Sequence, residues 1–114
     1  MPHFIIHCSQ EVLNLKSQNQ LMQDVFETAN ATGLFDKNDI KVRVQPFNEF
    51  IVGGDKTNFI HVFSHIMQGR NSQQKAELSK AIVLKLKTLL PEISNIAMNV
   101  HEFEKATYCN RNMV

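Results

Sequence analysis

Apolar residues fall in two rhythms along the 114-residue chain, and the alternation between them repeats once. FIIHC (4–8) is a short apolar, β-branched run that reads as a strand. After a polar stretch, Leu21, Met22, Val25, Phe26 and Ala29 recur at helical spacing, with Gly33 placed as a C-terminal cap. IKVRVQPF (40–47) alternates apolar and cationic residues as a second strand, so residues 2–47 form one βαβ unit. A GGD turn (53–55) leads into the same plan again. NFIHVFSHIM (58–67) reads as a strand, and residues 71–90 as a helix with Asn71 or Ser72 as N-cap and Pro91 as terminator. ISNIAMNVHEF (93–103) is the fourth strand. The expectation is one α/β (α+β) domain over 1–114, with pseudo-repeats at about 2–47 and 58–103 and a C-terminal tail, 104–114. Tandem βαβ units give a four-stranded mixed sheet whose right-handed crossovers put both helices on one face. The other face then needs cover, which copies of the same chain can supply.

Composition narrows the function classes. A core drawn from 114 residues is modest, so self-assembly is a natural way to bury more surface. With 43% hydrophobic and 20% charged residues the chain is ordinary and globular, and a net charge of +1 makes no case for nucleic acid or an anionic membrane. Cys8 and Cys109 are too few and too far apart for a disulfide framework or a zinc ribbon, which points to reduced thiols and a cytoplasmic protein. The N-terminus lacks the Lys or Arg of a signal peptide, and no segment approaches the ~18 apolar residues of a membrane span.

The second residue raises a chemical question. A small residue such as Pro2 generally permits removal of Met1, and the freed Pro2 nitrogen is then a secondary amine able to accept and return a proton. The plain alternative is a proline opening an edge strand, where a missing N–H costs little. Arg70 lies in QGRNS just before the second helix, where its guanidinium and the helix N–H groups can meet one carboxylate together. Lys41 and Arg43 are two residues apart and share a sheet face, as suits an anion site or a polar interface. His3 and His7, like His61 and His65, are four apart, which in an extended strand separates them by about 13 Å. They share a face without sharing a metal, and no metal site is expected. Cys8 has no helix N-terminus or positioned base to activate it. The Phe residues read as core, with Phe35 or Phe47 available to wall an apolar pocket.

PHFIIHCS (2–9), ATGLFDKNDIKVRV (31–44), FIHVFSHIMQGRNSQQK (59–75) and YCNRN (108–112) together resemble the 5-carboxymethyl-2-hydroxymuconate isomerase family. That family is a branch of the tautomerase superfamily, with 4-oxalocrotonate tautomerase and macrophage migration inhibitory factor. The resemblance implies a homotrimer with active sites at subunit interfaces, an N-terminal proline as acid/base, and no metal or organic cofactor. It implies ketonisation of a 2-hydroxymuconate-type dienol di- or tricarboxylate from the homoprotocatechuate branch of aromatic catabolism. Pro2 is then the catalytic residue and Arg70 a substrate-binding one, with Lys41 or Arg43 as second anchor. Lys41 stands where the family carries an arginine, which keeps the charge and loses the rigid two-pronged fork. Two alternatives stand beside this reading. One is a hydratase, dehalogenase or decarboxylase of the same fold, with Glu102 or Glu104 activating water; the other is a trimeric binding module without catalysis.

Overall fold

The computed structural model describes all 114 residues. Strand β1 (His3–Ser9) is followed by a short helix α1 (Val12–Leu15), helix α2 (Gln18–Ala31) and strand β2 (Lys41–Phe47). The second half runs β3 (Phe59–Met67), α3 (Ser72–Leu89) and β4 (Asn95–Phe103), with single 3-10 turns at Lys37–Asp39 and Arg111–Met113. The strands lie in the order β2-β1-β3-β4; β1 runs parallel to β2, β3 parallel to β4, and the two pairs meet antiparallel across β1 and β3. This is the expected mixed sheet of two βαβ units.

Local chemistry explains the element ends. Ser17 caps α2 by accepting from the Gln20 amide, and Gly33 follows the helix at φ 72°, a conformation that glycine adopts without strain. Asn71 caps α3 through a capping box with Gln74. Gly53 and Gly54, both at positive φ, form the two-residue turn that lets Val52 and Asp55 exchange backbone hydrogen bonds, as a type I′ turn requires. Two details differ from the sequence reading. Val12–Leu15 is helical, a single turn too short to carry a periodic signal, which buries Val12 in the core. β4 begins at Asn95, because Ile93 turns inward and donates its amide to Leu90.

Period-two alternation gives the sheet two unlike faces. Phe4, Ile6, Cys8, Ile60 and Val62 point to the helices and pack on Leu21, Val25, Leu78, Ile82 and Leu86. The residues between them, His3, Ile5, His7, His61, Phe63 and His65, lie on the opposite, helix-free face and remain partly exposed. No helix is long and apolar enough to cross a membrane.

Ile82 is fully buried on α3 at the centre of this core. Ile82→Ala is expected to destabilise the fold by about 2–5 kcal/mol, through lost burial and the cavity left behind. Urea unfolding followed by circular dichroism checks this.

Candidate active site

Register places the first residues of the chain. His3 pairs with Lys41 in the parallel β1/β2 ladder, and the Lys41 amide donates to the Pro2 carbonyl at 3.1 Å. Pro2 is buried and Met1 half-buried. Continuing the register backwards puts Asp39 beside Met1, and both groups are tied together through Lys41. The Lys41 ammonium donates to the Asp39 carbonyl at 3.0 Å and lies 4.0 Å from the Met1 sulfur.

Arg70 enters from the other side, on the turn between β3 and α3. Its Nη1 donates to the Met67 carbonyl at 3.2 Å, its Nη2 donates to the Leu34 carbonyl, and its guanidinium lies 5.1 Å from the Phe35 ring centre. Phe35 in turn packs edge-on against Phe4. Arg70 therefore has two jobs: one donor pins the loop after α2 and another the end of β3, and the others are left for a ligand. The α3 N-terminus contributes less than its position suggested, since the capping box occupies the Asn71 and Gln74 amides.

These groups act together on the chain terminus. Burial holds the Met1 ammonium below its usual pKa, and the Lys41 and Arg70 charges push the same way, while Asp39 opposes them. Pro2, Lys41 and Arg70, all singled out in the sequence, thus converge at one end of the sheet. Arg43 does not join them within the chain; its Nη1 donates to His3 Nδ1 at 3.1 Å on the helix-free face. Phe35 belongs to the cluster, whereas Phe47 packs on His7 and Phe59 on that other face. Asp39 escaped the sequence reading. Its signal was its place two residues before Lys41, which only the strand register converts into proximity to the terminus.

Glu102 lies on β4, two strands from β1, and its carboxylate takes a 2.6 Å contact from Lys75, which holds its pKa below the ordinary carboxylate value. Glu104 is exposed beyond the strand end. Cys8 is buried, and burial pushes its thiol up to about 11, far from a nucleophile's range. A groove of about 300 Å³ between α2 and α3, lined by Thr28, Thr32, Leu34, Gln74 and Glu77 among others, carries no cation and does not suit a carboxylate ligand.

A family model for 5-carboxymethyl-2-hydroxymuconate isomerase matches residues 2–114. No curated protein matches in sequence. Among solved structures, a 5-carboxymethyl-2-hydroxymuconate isomerase from Deinococcus radiodurans R1 superposes with a TM-score of 0.84 at 18% identity, over 96% of this chain and 88% of that one. N1, a member of the cis-3-chloroacrylic acid dehalogenase family, gives a TM-score of 0.74 at 15% identity over 96% and 80% of the two chains. A fused 4-OT wild type symmetric trimer gives 0.80 at 15% identity over 98% and 94%. At such identities these likenesses show the shared fold. The family match shows more: this chain, an isomerase of the tautomerase type, belongs to the 5-carboxymethyl-2-hydroxymuconate isomerase family.

Proposed function

We propose that the chain works as a homotrimer that ketonises a 2-hydroxymuconate-type dienol, with 5-carboxymethyl-2-hydroxymuconate as first candidate, and that Pro2 is its acid/base once Met1 is removed. The observation that carries this reading is the convergence of the Pro2 end of the chain with Lys41 and Arg70. The fused 4-OT trimer of the same fold, and a helix-free sheet face that leaves aromatic and histidine side chains partly exposed, favour the trimer.

In the proposed reaction the neutral Pro2 nitrogen takes the proton from the 2-hydroxyl. The electron pair left on oxygen forms the ketone as the π-bonds shift, and the protonated amine returns its proton to the far carbon of the dienolate. No atom is gained or lost, so a single group that accepts and returns a proton suffices. Arg70 and Lys41 hold the carboxylates and stabilise the charge that develops on the dienolate. They also keep the amine neutral: a positive charge nearby disfavours the ammonium form. Arg43 faces His3 in the single chain, so any contact with substrate would be made where a neighbouring protomer's site adjoins this face. With Glu102 engaged by Lys75, nothing specific favours water activation, and isomerisation is the better reading.

Three outcomes follow for protein whose mass confirms loss of Met1. Pro2→Ala, assayed by ultraviolet absorbance with 2-hydroxymuconate and its carboxymethyl homologue, lowers kcat by about 100-fold or more, the usual scale of general acid–base catalysis, with the trimer intact; unchanged kcat removes Pro2 from the mechanism. Arg70→Lys raises KM by about tenfold or more as the bidentate grip is lost, and Arg70→Ala adds a loss of thermal stability from the released Leu34 and Met67 carbonyls; unaltered kinetics in both would end the assignment. The acidic limb of kcat/KM reports the amine, which must be neutral to act. Asp39 raises and Lys41 lowers the pKa of the Met1 ammonium; if the same charges act on the Pro2 amine one residue on, Asp39→Asn moves that limb to lower pH and Lys41→Ala moves it to higher pH, and limbs that stay put, or move the other way, would contradict the assignment.

A further inference from the structure

All five histidines of the chain lie on the helix-free face of the sheet. His3 of β1, His65 of β3 and His101 of β4 stand in one register row, and His7 and His61 face each other in a second. The rings touch: His65 and His101 are stacked with centres 5.5 Å apart, and His7 and His61 each pack on Phe63. β2 adds Lys41 and Arg43 to the same face, and Tyr108 of the tail approaches Phe103 at its edge. No Asp or Glu occupies any position of this face; the one carboxylate on a strand, Glu102, points to the helices and is paired with Lys75. Ordinary protein surfaces intersperse both signs, so a face with seven basic groups and no acid has no internal means of neutralising protons.

The His3 contact fixes a protonation state. Arginine can only donate, so the 3.1 Å bond from Arg43 Nη1 makes His3 Nδ1 an acceptor, which exists only in the neutral ring. Protonating His3 turns that bond into two opposed N–H groups. A small hollow lined by His3, Arg43, His65 and Phe103 brings the third partner of this group alongside. The charges acting on His3 are Arg43, Lys41, His65 and the chain terminus, and the one acting on His7 is His61; burial and these neighbours hold both rings below the usual histidine pKa.

We propose that this face is a proton-sensitive contact between copies of the chain: it closes the trimer while its histidines are neutral and opens it when they are protonated. This rests on the trimer proposed above, in which the helix-free faces of three protomers adjoin. Closure removes water from these rings, and at His3 and His7 the neutral form is already favoured, so protonation opposes assembly. The sign follows: groups with lowered pKa in the assembly stabilise it above their free pKa, and that contribution is lost as pH falls.

Sedimentation velocity of the Met1-processed protein at about pH 7.5 and about pH 5.5, at matched ionic strength, tests the proposal. The expected result is a trimer at the higher pH and an apparent dissociation constant raised at least about 100-fold at the lower, the equivalent of two pK units, with reassembly on return to pH 7.5. His3→Gln, which keeps an acceptor for Arg43 and cannot titrate, combined with His65→Gln and His101→Gln, removes one of the two histidine rows and should move dissociation to lower pH. If that triple variant fails to fold, His3→Gln alone should move the dissociation midpoint to lower pH. A wild-type trimer that persists at pH 5.5, or variants that dissociate as the wild type does, would overturn the proton sensitivity alone. A monomer at pH 7.5 would overturn the trimer itself.

Discussion

A parallel β-ladder normally needs only its interior bonds, but here the bond that matters most is the first. The Lys41 amide donating to the Pro2 carbonyl fastens the beginning of the chain to the beginning of β2. Without it the terminus would fray, as most termini do. With it, the residues that precede β2 are held against the residues that precede β1, so Asp39, Lys41 and the terminal amine share one small volume. Arg70 closes the volume from the β3 side, held to the strand end by the Met67 carbonyl, and its bond to the Leu34 carbonyl brings in the loop that carries Phe35. A charge at the end of a strand is thereby placed as firmly as one in a core.

The same sheet separates two kinds of basic chemistry. Lys41 and Arg43 share a face, yet two residues of extended chain decide their different surroundings. Lys41 stands at the strand end and reaches across the terminus, whereas Arg43 stands one pair further in and meets His3. On the helical face the alternation is apolar around Phe4, Ile6, Ile60 and Val62, broken by the buried Ser64 opposite Phe4, and it forms the core of the protomer. On the other face the alternation brings histidine, phenylalanine and cation together, a surface the proposal has meet its own copies while its histidines are neutral. Assembly and catalysis on this account share one electrostatic condition, since the amine and the histidines both work in their neutral forms.

Much of this was legible in the sequence because it is local. Periodicity in Leu21, Val25 and Ala29, the Asn71 cap and the alternation of 40–47 specify helices and strands within a few residues. Period two also puts His3 with His7, and His61 with His65, on common faces. What needed the structure was register. Nothing local says that residue 3 pairs with residue 41 or residue 65, so neither Asp39 beside the terminus nor the row His3, His65 and His101 could be read from spacing. Arg70's bond to the Leu34 carbonyl was hidden for the same reason: it joins residues 36 positions apart in the chain. The single turn at Val12–Leu15 was missed because four residues hold too few apolar positions for a period to show.

The central claim is that a neutral prolyl nitrogen at residue 2 moves the proton. Nitrogen-15 NMR titration of processed protein labelled at proline follows that atom directly. The account predicts one titration at Pro2, with a pKa below that of an ordinary prolyl amine and coincident with the acidic limb of kcat/KM, and raised when Lys41 or Arg70 is neutralised. A Pro2 nitrogen that titrates like an unperturbed amine, at a pH unrelated to the kinetic limb, would contradict it.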